Sequence, residues 1–131
     1  MCNIAGYVGT KRAAPILIEM LKKEGAKKFI LNLGGNIYAY SPEKAVSIGV
    51  QEPFAQRGEL LFTVKVNDKA VVSSGIYERY FEEDGEIYHH IFDTKTGYPA
   101  KSGISQVTIV GKDATMCDAF STAILVGGEE L

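Results

Sequence analysis

A chain of 131 residues, 46% of them hydrophobic, can bury one core, so it suits one compact domain or a piece of a larger one. Its formal net charge of −2 provides no basic face for nucleic acid, and no apolar run approaches the roughly 18 residues of a transmembrane segment. The opening MCNIAGYVGTKR puts its basic pair after the apolar stretch, unlike a signal peptide, and Cys2 and Cys117 are too few for a disulfide framework and lack the spacing of a zinc site.

Met1–Thr10 is a short apolar segment with glycines at 6 and 9, read as a strand and turn. Ala13, Ile16, Leu17, Met20 and Leu21 then recur at spacings of three and four. They predict a helix with Pro15 in its first turn and Lys22, Lys23 and Gly25 at its end. Phe29–Leu33 reads as a strand broken by Gly34-Gly35-Asn36, and Ala45–Val50 as a second strand. Glu52–Gly58 is a loop. Leu60–Val66 alternates through Leu60, Phe62, Val64 and Val66 as a half-buried strand should. Asn67-Asp68 turns the chain into a strand at Ala70–Ser74. Tyr77–Phe81 and Glu86–His90 flank Glu83-Asp84-Gly85, a hairpin signal. Ile104–Val110 alternates again. Asp113 is placed to cap a last helix carrying Ala114, Cys117, Phe120, Ser121, Ile124 and Leu125 at helical spacing, which stops at Gly127-Gly128. No internal repeat is visible. Helix, five or six strands, helix implies an α+β fold: a largely antiparallel sheet with helices packed on one face.

Polar chemistry concentrates in HHIFDTKTGYP (His89–Pro99). A buried strand could not satisfy so many polar groups, whereas a loop that positions chemistry can. If His89 and His90 end a strand they point to opposite sides, so one can face a site while the other packs. A site-facing histidine could deprotonate a hydroxyl, or it could simply order the loop. Asp93, Thr94 and Thr96 suit an Asx-type turn with Gly97 in a left-handed position. Asp118 and Thr122, four apart on the last helix, share a face and offer two hard oxygens of the type Mg²⁺ prefers. The same spacing also suits a solvated Asp and a Thr bonded back to a carbonyl. Ser73-Ser74-Gly75, read as a turn after a strand, could present backbone N–H groups to a phosphate. Gly34-Gly35-Asn36 could likewise let a cofactor approach, but is not a dinucleotide fingerprint. Tyr77, Tyr80, Phe81 and Tyr88 suit packing of the hairpin better than stacking on a flavin. Cys2 is either a small buried residue or, after loss of Met1, an N-terminal nucleophile.

Taken together and in order, NLGGNIYAY (Asn32–Tyr40), SSGIYERYF (Ser73–Phe81), HHIFDTKTGYP, SQVTIV (Ser105–Val110) and DAFSTAILVGG (Asp118–Gly128) closely resemble the ApbE-like flavin transferases. The resemblance runs from about Glu24 to the end. It implies the C-terminal part of that family's domain over 24–131, Mg²⁺ on Asp118 and Thr122, and His90 of an H-I-x-D pattern as catalytic base. It further implies contact with FAD by Ser74, Gly75, His89, His90 and Ile91. The implied reaction is Mg²⁺-dependent transfer of FMN from FAD to a threonine of an acceptor flavoprotein, with release of AMP. In some relatives FAD is hydrolysed to FMN and AMP instead. Family members are often exported or lipid-anchored, and this N-terminus is of neither kind.

Residues 1–23 resemble instead the start of a class II glutamine amidotransferase, which implies a nucleophilic Cys2. No glutamine-binding residues follow, so glutaminase activity is not expected. The two resemblances divide the chain at 1–23 and 24–131 within one compact unit. A full flavin transferase carries a longer N-terminal region with a Lys-Gly motif that supplies part of the FAD site. Its absence here leaves an inactive fragment or chimera as the alternative.

Overall fold

The computed structural model describes residues 13–128; Cys2 and the segment Met1–Thr10 lie outside them. Ala13–Lys23 forms helix α1 with Pro15 in its first turn, and Gly25 ends it at a φ of 79°. Phe29–Leu33 (β1) and Asn36–Tyr40 (β2) form an antiparallel hairpin. The sequence reading treats Gly34-Gly35 as a break in the strand and misses β2. Both glycines have positive φ, 69° and 96°, and Asn32 Oδ1 accepts from the Gly35 N–H at 3.1 Å. Two successive left-handed residues form a tight turn whose twist matches the flanking strands, so the chain reverses instead of stopping.

The remaining elements are β3 (Val46–Gln51), β4 (Leu60–Val66), β5 (Lys69–Gly75), β6 (Tyr80–Glu83), β7 (Glu86–His89), β8 (Gln106–Gly111) and α2 (Ala114–Gly127). The described residues thus hold eight strands, not five or six. They form a four-stranded antiparallel sheet in the order β1-β2-β5-β8 and two separate hairpins, β3–β4 and β6–β7. The architecture is the α+β arrangement that the sequence implies.

Strand β5 is covered on both faces. Ala70 and Val72 pack with Tyr38 and Cys117 on the helical side, joined by Ile18 of α1. Val71 points the other way, into a cluster of Ala39, Val46, Ile48 and Val66 from β2 and the β3–β4 hairpin. Burial makes the Cys117 thiol harder to ionise, aided by the Asp113 charge, so it behaves as a small apolar side chain. The alternation in β4 buries less than it suggests. Leu60, Leu61 and Phe62 are exposed; only the far end of the strand reaches the core, with Val66 buried and Val64 partly buried against the same cluster.

Asp113 caps α2: its carboxylate accepts from the N–H groups of Thr115 and Met116 at 2.9 and 3.2 Å. Leu125 is fully buried, and the Ser102 hydroxyl donates to its carbonyl. No helix among the described residues is long and apolar enough to cross a membrane.

Helix α1 is tied to the sheet by a charged contact. Lys22 Nζ lies 2.6 Å from Asp68 Oδ1 and 4.4 Å from the Tyr40 ring centre, and the Tyr38 hydroxyl also donates to Asp68. Hydrogen bonds from Lys22 and Tyr38 hold the Asp68 carboxyl below its ordinary range. A lowered folded-state value gives stability that is present above the unfolded carboxylate value and lost as pH falls through the folded one. The Lys22 and Asp68 side chains are 32% and 52% exposed, so solvent limits the contribution. Asp68→Asn is expected to cost up to about 1 kcal/mol in urea unfolding at neutral pH. The gap to the parent chain should start to narrow at about pH 4, where the unfolded carboxylate takes up its proton, and close only as pH falls through the lower folded-state value; a gap independent of pH would contradict the ion pair.

Candidate active site

The way β5 leaves the core creates the site. Its pairing with β8 continues to Gly75↔Gln106, but its pairing with β2 stops at Val72↔Asn36. Ser73–Gly75 is therefore a strand end with one edge unpaired: the strand read at Ala70–Ser74 runs on through Gly75, and the small residues make no turn. Beside that edge an open cleft of about 1020 Å³ is bordered by the β1–β2 turn (Asn32, Gly34, Gly35), Ser73–Gly75, Arg57, Glu78, Arg79, His90–Phe92, Asp118 and Thr122.

The strand end itself is polar and satisfied. Ser73 Oγ and Thr108 Oγ1 pair across β5 and β8 at 2.8 Å. Gly75 has no side chain because a Cβ there would run into the Tyr77 ring. Tyr77 donates its hydroxyl to Gln106 Oε1 at 2.6 Å. Burial, and then the charge of Glu78, keep that phenol protonated.

One wall is α2. Ser121 is fully buried and donates to the Asp118 carbonyl at 3.0 Å. A hydroxyl has one hydrogen, so at the 2.7 Å contact between Ser121 and Ser74 the donor is Ser74. Ser74 then accepts from Thr122 Oγ1 at 3.2 Å. This chain leaves the Thr122 lone pairs unused. Asp118 and Thr122 are both exposed in the cleft, and among the described residues no hydrogen bond or ion pair engages the Asp118 carboxylate. No cluster of three His, Cys, Asp or Glu occurs among the described residues. A carboxylate plus a hydroxyl fits Mg²⁺, which keeps several waters and shares phosphate oxygens, and does not fit a closed zinc site.

The opposite wall is the histidine loop. Asp93 shapes it: Oδ1 accepts from the Lys95 N–H at 2.9 Å, the carbonyl accepts from the Gly97 N–H at 2.8 Å, and Gly97 has a φ of 75°. The two histidines take opposite sides. His89 is buried, away from the cleft, with Nε2 donating to the Ala100 carbonyl at 3.1 Å and Nδ1 accepting from the Ile91 N–H at 3.3 Å. Both ring nitrogens are used by backbone, so the structure separates His89 from the other proposed FAD contacts: its ring orders the loop. His90 is exposed in the cleft. Its Nδ1 lies 3.2 Å from the Arg79 carbonyl, which only accepts, so Nδ1 is the donor and, in the neutral ring, Nε2 is the nitrogen with the lone pair.

The cleft thus brings together Ser74, Gly75, His90, Ile91, Asp118 and Thr122, and leaves out the His89 ring. Arg57, Glu78 and Arg79 were not singled out from sequence. Two arginines on loops after strands are the available signal for guanidinium groups at the rim, where Glu78 stands beside them.

The ApbE family model matches residues 8–131, and the chain belongs to that family. The match takes in α1, which the sequence reading assigned to an amidotransferase-like segment. The chain is 36% identical to an FAD:protein FMN transferase of Klebsiella pneumoniae over 112 residues, covering 86% of this chain and 34% of the relative. It is 34% identical to an FAD:protein FMN transferase of Treponema pallidum, covering 95% and 38%. The crystal structure of the ApbE protein from Thermotoga maritima superposes with a TM-score of 0.75 at 35% identity, covering 86% of this chain and 37% of that one. The apo flavinyl transferase ApbE of Pseudomonas stutzeri gives 0.67 at 30%, covering 88% and 36%. The chain spans little more than a third of the length of these relatives.

His89→Ala is expected to cost roughly 1–3 kcal/mol in denaturant unfolding, because it strands a buried backbone carbonyl and N–H. His90→Ala, at an exposed position, should stay within about 0.5 kcal/mol. Equal losses would contradict the division of roles.

Proposed function

We propose that this chain carries the catalytic half-site of an FAD:protein FMN transferase: FMN passes from FAD to a threonine of an acceptor flavoprotein and AMP is released. The observation that supports this reading is that His90, Ser74, Gly75, Asp118 and Thr122 border one cleft. Asp118 and Thr122 would hold Mg²⁺, which when bound neutralises charge on a diphosphate. The Arg57 and Arg79 guanidinium groups at the rim draw the anionic diphosphate in. In the neutral ring the Nδ1–H bond to the Arg79 carbonyl makes His90 Nε2 the accepting nitrogen, which takes the proton of the threonine hydroxyl. That oxygen forms a new bond to the FMN phosphorus. The bridging P–O bond breaks, and AMP departs with the bridging oxygen. His89 acts from behind, by holding the loop that presents His90 and Ile91.

A second reading, hydrolysis of FAD to FMN and AMP, is favoured by the exposure of His90, Asp118 and Thr122, which lets water reach the same position. Incubation with FAD, Mg²⁺ and a threonine-bearing acceptor domain separates them. Transfer leaves fluorescent flavin on the acceptor in a denaturing gel, with equimolar AMP. AMP without labelled acceptor indicates hydrolysis, and neither product, without saturable FAD binding, indicates an inactive fragment.

Asp118→Asn is expected to weaken Mg²⁺ binding about tenfold or more by calorimetry, because it removes the one charged donor. His90→Gln should leave that isotherm intact while lowering flavin release by about 10²–10⁴-fold. Mg²⁺ binding that is indifferent to Asp118→Asn would remove the metal assignment.

A further inference from the structure

A second hollow, of about 710 Å³, opens on the other flank of His90. Its walls are aromatic: Tyr80, Phe81, Tyr88, Phe92 and Tyr98, closed by Pro99. Phe81 and Tyr88 stack with ring centres 5.1 Å apart, yet Phe81 and Tyr98 are 60% and 68% exposed. The rings pack on one another, as the sequence suggests, and still leave their outer faces uncovered. Clustered exposed apolar surface of this kind marks a binding face, and aromatic side chains are its usual anchors. Arg79, His90 and Phe92 border both hollows, so His90 is the ridge between them. Beside the cup, the β6–β7 tip carries Glu82, Glu83, Asp84 and Glu86, of which Glu86 pairs with Lys101 at 3.0 Å.

We propose that this cup docks the polypeptide acceptor, with apolar side chains next to the target hydroxyl seated against Phe81, Phe92 and Tyr98 and basic residues beyond them facing the acidic tip. The inference rests on the transfer reading above. In phosphoryl transfer the attacking and leaving oxygens lie on opposite sides of phosphorus. The polar cleft takes the diphosphate, and His90 must touch the incoming hydroxyl. A hydroxyl carried on a polypeptide therefore arrives over the other flank of His90, where the cup lies. Water as nucleophile would need no such surface.

The test uses the whole chain and a short fluorescein-labelled peptide with one threonine between leucines and a lysine pair beyond it, followed by anisotropy. Saturable binding is expected, weakened about tenfold by Phe81→Ala with Tyr98→Ala. A matched peptide with glutamates for the lysines should bind more weakly, as should one with serines for the leucines. Both substituted side chains are exposed, so an unchanged melting temperature verifies the fold of the double variant. Absent peptide binding, binding indifferent to the double variant, or a glutamate peptide that binds equally well overturns the proposal. So does a dimer, seen by sedimentation, that the double variant dissociates, because a second copy then fills the cup. A parallel FAD titration keeps the two readings apart: peptide binding without FAD binding sinks the transfer reading alone, and FAD binding without peptide binding sinks the docking surface alone.

Discussion

The structure depends on one strand changing character along its length. Ala70, Val71 and Val72 of β5 are sealed between the helices and the β3–β4 hairpin. From the next residue on, the same strand carries hydroxyls, its β2 neighbour has turned away, and one edge lies open. Apolar burial there would leave backbone groups without partners. Hydroxyls instead pair sideways with β8 through Thr108 and forward with α2 through Ser121 and Thr122. Each such bond contributes only about 1 kcal/mol, but together they set the rotation of α2 about its axis. That rotation decides whether Asp118 and Thr122 face the cleft or bulk solvent.

The histidine loop solves the matching problem on the other wall. A loop must not bury unpaired polar groups, and a general base must not have both nitrogens occupied. Adjacent histidines at the end of β7 meet both demands because consecutive side chains point to opposite sides. His89 spends both nitrogens on backbone, and His90 spends one. The Arg79 carbonyl that holds His90 lies at the start of the β6–β7 hairpin, so the tautomer of the proposed base is set by the same element that supports the aromatic cup.

Much of this was legible in the residues. Strand β4 and the final helix follow from periodicity, and the Asp113 cap from a side chain that can accept from the first turn. The opposed histidines follow from strand geometry. What was lost has identifiable causes. Gly34-Gly35 reads locally as an interruption, and only as two left-handed residues does it become a turn into β2, although Ile37, Tyr38 and Tyr40 are good strand formers. Ser73-Ser74-Gly75 reads both as the end of the strand Ala70–Ser74 and, because small residues suit turns, as a turn. Pairing with β8 keeps them extended, and that pairing is long-range and invisible to local pattern. The exposure of Leu60–Phe62 was hidden for a similar reason, since alternation reports a face but not whether anything covers it. Arg57 and Arg79, far apart in sequence, meet at one rim only through the fold.

The central claim is that the α2 oxygens and the His90 ring serve a single diphosphate in a single cleft. A crystal structure with Mg²⁺ and FAD tests it most directly. Density for a cation touching Asp118 and Thr122 and sharing diphosphate oxygens, with His90 Nε2 pointing to the FMN phosphate, is the predicted result. A cation elsewhere, or a flavin diphosphate bound out of reach of those three side chains, would contradict the account.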